Sequence, residues 1–95
     1  MTKTDKSRSE TIALTIAQRD IRFEESHTAY GRYIDTVGRG RISQASRNFL
    51  FETVHPDDRE PLRDVLENNP GAAVQIAAEL SSAVAPEIEV AVKKP

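Results

Sequence analysis

Residues 11–25 read Thr11-Ile12-Ala13-Leu14-Thr15-Ile16-Ala17-Gln18-Arg19-Asp20-Ile21-Arg22-Phe23-Glu24-Glu25. In Thr11–Ile16, Ile12, Leu14 and Ile16 fall on one side of an extended chain, and Thr11, Ala13 and Thr15 on the other. A period of two is the mark of a half-buried strand. Asp20–Glu25 repeats it, with Ile21 and Phe23 opposite Arg22 and Glu24. The intervening Ala17-Gln18-Arg19-Asp20 is short enough for a hairpin loop, although it lacks the Asn-Gly pair that favours such turns. One apolar and one polar face predicts a sheet with helices on one side only.

The pattern then changes to a helical one. Ser26 or Thr28 can cap a helix, and Tyr30, Tyr33, Ile34 and Val37 follow at i, i+3, i+4 and i+7. Gly38-Arg39-Gly40 ends that helix, since glycine accepts a left-handed terminal residue. A second helix opens at Ile42-Ser43 with Ser43 as its predicted cap. Its inward stripe is Ala45, Phe49, Leu50 and Thr53. Phe51 lies about 180° from the centre of that stripe at ~100° per residue. It is an apolar residue on the wrong face.

His55-Pro56-Asp57-Asp58 reads as a turn, with Asp58 capping a third helix that carries Pro61 in its first turn and Leu62, Val65 and Leu66 as its stripe. Asn68-Asn69-Pro70 stops it, and Pro70 is expected at the first position of a fourth helix. There Ala73, Ile76, Ala77, Leu80 and Val84 share a face. After Pro86, Glu87–Lys93 alternates again, with Ile88, Val90 and Val92 against Glu87, Glu89 and Lys93. The expected architecture is α+β: an N-terminal hairpin plus a C-terminal strand forming a small antiparallel sheet, with about four helices packed on one face. Residues 1–9 contain one apolar side chain, the initiator methionine, and read as a flexible tail. Residues 10–95 read as a single domain.

The 95 residues leave no room for a second core. Thirteen basic and fifteen acidic residues give a net charge of −2, too balanced for general capture of nucleic acid or of a membrane surface. No apolar run approaches the ~18 residues of a membrane helix, and Met1–Glu10 has no apolar core resembling a secretory signal. The absence of cysteine removes disulfides, thiolate metal sites and thiol nucleophiles.

No catalytic constellation, cofactor motif or metal site is expected. His27 and His55 sit among cap and turn residues, without the spacing of a metal site. Glu24 and Glu25 point to opposite faces, and Asp57 and Asp58 suit a helix start. Arg32, Arg39, Arg41 and Arg47 meet only Asp35 between Gly31 and Leu50, a local excess of three positive charges. A small regulatory or nucleic-acid-binding protein using these arginines is the alternative reading. No recognition helix or stacking platform accompanies them, so solvated surface or an acidic protein contact is favoured. Phe51, beside Asn48-Phe49-Leu50, is a candidate contact with a partner or a second copy, with Tyr30 and Tyr33 at the edge of the stripe.

The order of blocks resembles a known family. A Thr11-Ile12-x-Leu14-Thr15-Ile16 strand is followed by Ile21-x-Phe23, by Tyr30 and Tyr33-Ile34, and by Asn48-Phe49-Leu50 with Thr53-Val54. Pro56-Asp57-Asp58 before Leu62, Pro70-Gly71-Ala72-Ala73-Val74-Gln75-Ile76-Ala77 and Pro86-Glu87-Ile88-Glu89-Val90 complete the order. Over about residues 10–93 this is similar to the phage tail assembly chaperones of long-tailed bacteriophages and prophages. Gly38-Arg39-Gly40-Arg41 is more arginine-rich than that family's pattern. The resemblance implies a non-enzymatic factor that coats the tape-measure protein and keeps it soluble in the bacterial host cytoplasm until the tail tube polymerises. It also implies absence from the mature virion, the tail tube protein as a further candidate partner, homo-oligomers, and in many members a longer form made by ribosomal frameshifting.

Overall fold

The computed structural model describes residues 10–86 and 88–93; the expected tail 1–9 lies outside the described residues, as do Glu87, Lys94 and Pro95. The alternating stretch forms an antiparallel hairpin of β1 (Thr11–Ile16) and β2 (Arg19–Glu24). Its loop is tighter than expected. Only Ala17 and Gln18 lie between the strands, both at positive φ (51° and 69°), and β2 starts at Arg19. A two-residue loop matches the twist of the strands better than a four-residue one, which here outweighs the cost of left-handed backbone at two residues with side chains. The register sets Ile12 opposite Phe23 and Leu14 opposite Ile21, so both strands turn the same apolar face inward. Thr15 Oγ1 donates to Asp20 across the hairpin (2.9 Å).

Four helices follow: α1 (His27–Gly38), α2 (Ile42–Thr53), α3 (Arg59–Asn68) and α4 (Ala72–Val84), with a 3-10 turn at Pro56–Asp58. Ser26 caps α1 by accepting the Ala29 N–H (3.1 Å). α1 ends in a Schellman turn, with Gly40 at φ 84°, the Gly40 N–H bonded to Val37 O and the Arg41 N–H to Thr36 O. α2 begins one residue before the predicted cap. Arg41, with non-helical backbone (φ −110°, ψ 60°), takes the cap position with no side-chain bond, and Ser43 lies inside the helix.

Asn68 and Asn69 close α3 by donating to Asp64 O (2.9 Å) and Val65 O (2.8 Å). Pro70 stays in the turn rather than starting α4; left-handed Gly71 (φ 85°) occupies the cap position. The α4 stripe Ala73, Ile76, Ala77, Leu80 and Val84 is buried. It joins Ile21, Phe23, Phe49, Leu50, Leu62, Val65 and Leu66 in one core.

Among the described residues the expected C-terminal strand is not formed. Both strands of the sheet lie in the N-terminal hairpin. Residues 88–93 are irregular and exposed, with Ile88 at 76 %, Val90 at 82 % and Val92 at 86 %. Alternation assigns side chains to faces but does not supply a neighbour, and one side of the hairpin is already taken. Val54 bridges Phe23, the His55 N–H donates to Arg22 O (2.8 Å), and the Arg22 N–H donates to Asp58 Oδ2 (2.8 Å). The outer edge of β2 is thus sealed by the junction between α2 and α3, a common way of protecting an edge strand.

Candidate protein-binding surface

α1 and α2 pack through aromatic rings. Tyr33 stacks on Phe49 at 4.7 Å between centroids and 22° between planes. Tyr30 meets the same ring edge-on at 6.3 Å. Such contacts add about 0.5–1.5 kcal/mol each beyond area burial. Burial pushes the Tyr33 hydroxyl pKa upward, since the phenolate would lose hydration, and Tyr30 reinforces the shift. Arg32 of α1 pairs with Glu52 of α2 (3.1 Å) over a small cleft of about 50 Å³ beside Tyr33 and Phe49.

Phe51 sits apart from this cluster. Two residues along α2 turn it about 200° from Phe49. It is half-buried against the core, and three guanidinium groups surround its ring: Arg47 at 5.7 Å, Arg59 at 5.3 Å and Arg63 at 5.7 Å. Arg59 also donates to the Phe51 carbonyl (3.1 Å), tying α3 to α2. Arg63 pairs with Glu60, whereas Arg47 and Arg59 have no carboxylate partner among the described ion pairs. Cation–π attraction holds each guanidinium over the ring by about 0.5–1 kcal/mol at exposed sites. The result is an aromatic face rimmed by positive charge.

Of the residues singled out in the sequence, Tyr30 and Tyr33 come together on Phe49, and Phe51 is separate from both. The four arginines Arg32, Arg39, Arg41 and Arg47 are also dispersed. Arg32 is engaged by Glu52, Arg39 and Arg41 lie exposed in the turn between α1 and α2, and Arg47 leans over Phe51. Arg59 and Arg63 were not foreseen as neighbours of Phe51. Their spacing of four residues puts them on one face of α3, but which neighbour that face meets is a tertiary fact.

His55 Nδ1 accepts the Asp57 N–H (3.1 Å) at the start of the 3-10 turn, and His27 is exposed beside Glu25 (3.5 Å). Among the described residues no group of three or more His, Cys, Asp or Glu side chains could hold a metal ion, and no helix is long and apolar enough to cross a membrane.

A solved structure of an uncharacterised protein, rbstp2171, from Bacillus stearothermophilus has a similar fold. Its TM-score is 0.68 at 21 % identity, covering 95 % of this chain and 94 % of that one. No curated protein matches the chain. Residues 12–94 match the phage tail assembly chaperone family, a span that takes in the hairpin, all four helices and the segment after them; the chain belongs to that family.

Proposed function

We propose that this chain binds a tape-measure protein and keeps it soluble during phage tail assembly, acting without catalysis in the bacterial host cytoplasm. The family match over residues 12–94 carries this reading. The half-buried Phe51 ring with its three guanidinium groups supports it. A holding surface for a long helical client needs apolar area for contact and polar donors at its rim. Phe51 supplies the first, and Arg47, Arg59 and Arg63 the second, favouring a client face that mixes aliphatic and acidic side chains. Tyr30 and Tyr33 pack on Phe49 on the other side of α2 and would form a second contact, separate from Phe51. Reading Arg32, Arg39, Arg41 and Arg47 as a nucleic-acid patch gains nothing from the geometry, because these side chains go to separate places.

Co-expression with the tape-measure protein encoded in the same tail gene cluster tests the proposal. The client is expected in the soluble fraction with the chain present and in the pellet without it. Phe51→Ser is expected to reduce that rescue while the chain itself stays folded. A client equally insoluble in both cultures overturns the function. Undiminished rescue by Phe51→Ser overturns the assignment of the surface.

A further inference from the structure

The apolar face of the hairpin is dry on one strand and partly wet on the other. Ile21 and Phe23 of β2 are fully buried. Their cross-strand partners Leu14 and Ile12 look the same way from β1 but are only half-buried. Alongside β1, a groove of about 430 Å³ runs between Leu14 and Ile16 on one side and Gln75, Ile76 and Glu79 of α4 on the other. The outer edge of β2 is sealed by Val54, His55 and Asp58. The outer edge of β1 has no strand beside it among the described residues. The sheet therefore stops at a strand that offers both backbone hydrogen-bonding groups and incompletely covered aliphatic side chains.

The same chain carries a segment with the complementary deficiency. Ile88, Val90 and Val92 are β-branched, alternate with Glu89, Ala91 and Lys93, and are 76–86 % exposed. None of the described backbone hydrogen bonds outside helices and strands reaches residues 88–93. Extended, six residues span about 20 Å, and β1 is also six residues long. The outer face of β1 presents Thr11, Ala13 and Thr15, so neither Glu89 nor Lys93 would meet a like charge on the strand it joined.

We propose that residues 88–93 of one copy add as a strand to the open edge of β1 in a second copy, with Ile88, Val90 and Val92 on the side of the groove. Backbone pairing gives affinity, and the alternate side chains give register. The occupant is a second copy because, within one chain, the segment leaves α4 without joining the sheet. Donor segment and acceptor edge are different surfaces, so the contact closes as a reciprocal exchange between two copies or repeats into a ring or an open array. The proposal concerns self-association and stands apart from the identity of any client.

The chain has no cysteine, which makes directed cross-linking clean. One tagged chain carrying Ala13→Cys is mixed with a differently tagged chain carrying Ala91→Cys and oxidised; Thr15→Cys with Glu89→Cys samples other registers. Cross-strand Cβ separations of about 4.5–5.5 Å are close enough for a disulfide to form with small adjustment. Mixed cross-linked dimers are expected. In sedimentation velocity, Val90→Lys is expected to weaken association of the otherwise unaltered full-length chain at least tenfold, with an unchanged circular dichroism spectrum. Three outcomes overturn the proposal: a wild-type chain that remains monomeric at the highest concentration reached, no mixed cross-linked dimer from either pair of singly substituted chains, or cross-links that form only when a tape-measure protein is added.

Discussion

The Asp58 carboxylate grips Arg22 at three points. Oδ2 accepts the backbone N–H (2.8 Å) and Nε (2.9 Å), and Oδ1 accepts a terminal guanidinium nitrogen (3.0 Å). The two residues lie 36 positions apart, so this contact fastens the hairpin to the junction before α3. Planar two-point pairing of arginine with a carboxylate is among the stronger and more directional polar contacts in proteins.

This grip makes stability depend on acid. The Arg22 side-chain and backbone donors favour the charged carboxylate and lower the Asp58 pKa from 3.8 to about 2. The folded state therefore binds this proton less readily than the unfolded state does. Its stabilising contribution is complete above the ordinary carboxylate value and drains away as pH falls from 3.8 toward 2. Asp58→Asn is expected to lower the Tm at neutral pH. Thermal melts across that acid range should also show a shallower pH dependence in the variant than in the wild type.

The hairpin loop can be improved. Ala17 and Gln18 both hold positive φ, a conformation that costs residues with side chains about 1–2 kcal/mol each. Ala17→Asn combined with Gln18→Gly places the preferred pair in that loop. The double variant should gain about 1 kcal/mol, read as a Tm about 4–8 °C higher by calorimetry.

Gly40 presents the opposite case. Its φ of 84° closes the Schellman turn, and a Cβ there would meet nothing within 4 Å. The penalty of Gly40→Ala is therefore conformational rather than steric, about 1 kcal/mol. Urea unfolding should show a lower midpoint with an unchanged m value.

Phe23 anchors the hairpin in the core at 0 % exposure and stands opposite the Val54 bridge. Phe23→Ala removes a large buried ring, at a cost of about 3–5 kcal/mol. For a domain of this size that is a large share of the total stability. Chemical denaturation should place the variant near or past the edge of folding at room temperature.

The elements that local pattern controls were legible in the sequence. Ile12, Leu14, Ile21 and Phe23 declared the hairpin through their alternation, and Ala73, Ile76, Ala77, Leu80 and Val84 declared the inner face of α4. What local pattern could not convey was which backbone edges already have neighbours. Ile88, Val90 and Val92 alternate as cleanly as β1 does, yet a strand exists only where another chain segment lies beside it. Asp58 was legible as a residue for the start of α3, and it does precede that helix. Its side chain, however, is committed to Arg22. The surroundings of Phe51 combine Arg47 from α2 with Arg59 and Arg63 from α3, so no single helical stripe contains them.

The seal along β2 has a consequence for where cross-β growth could start. Cross-β ribbons lengthen when each incoming strand leaves a fresh unpaired edge behind it. In this hairpin Val54, His55 and the Asp58 carboxylate occupy one flank, so templating from that flank is blocked in the folded molecule. A lengthened or loosened connection between α2 and α3 would expose that flank. Fibril seeding, rather than simple loss of function, is the failure such a change would invite.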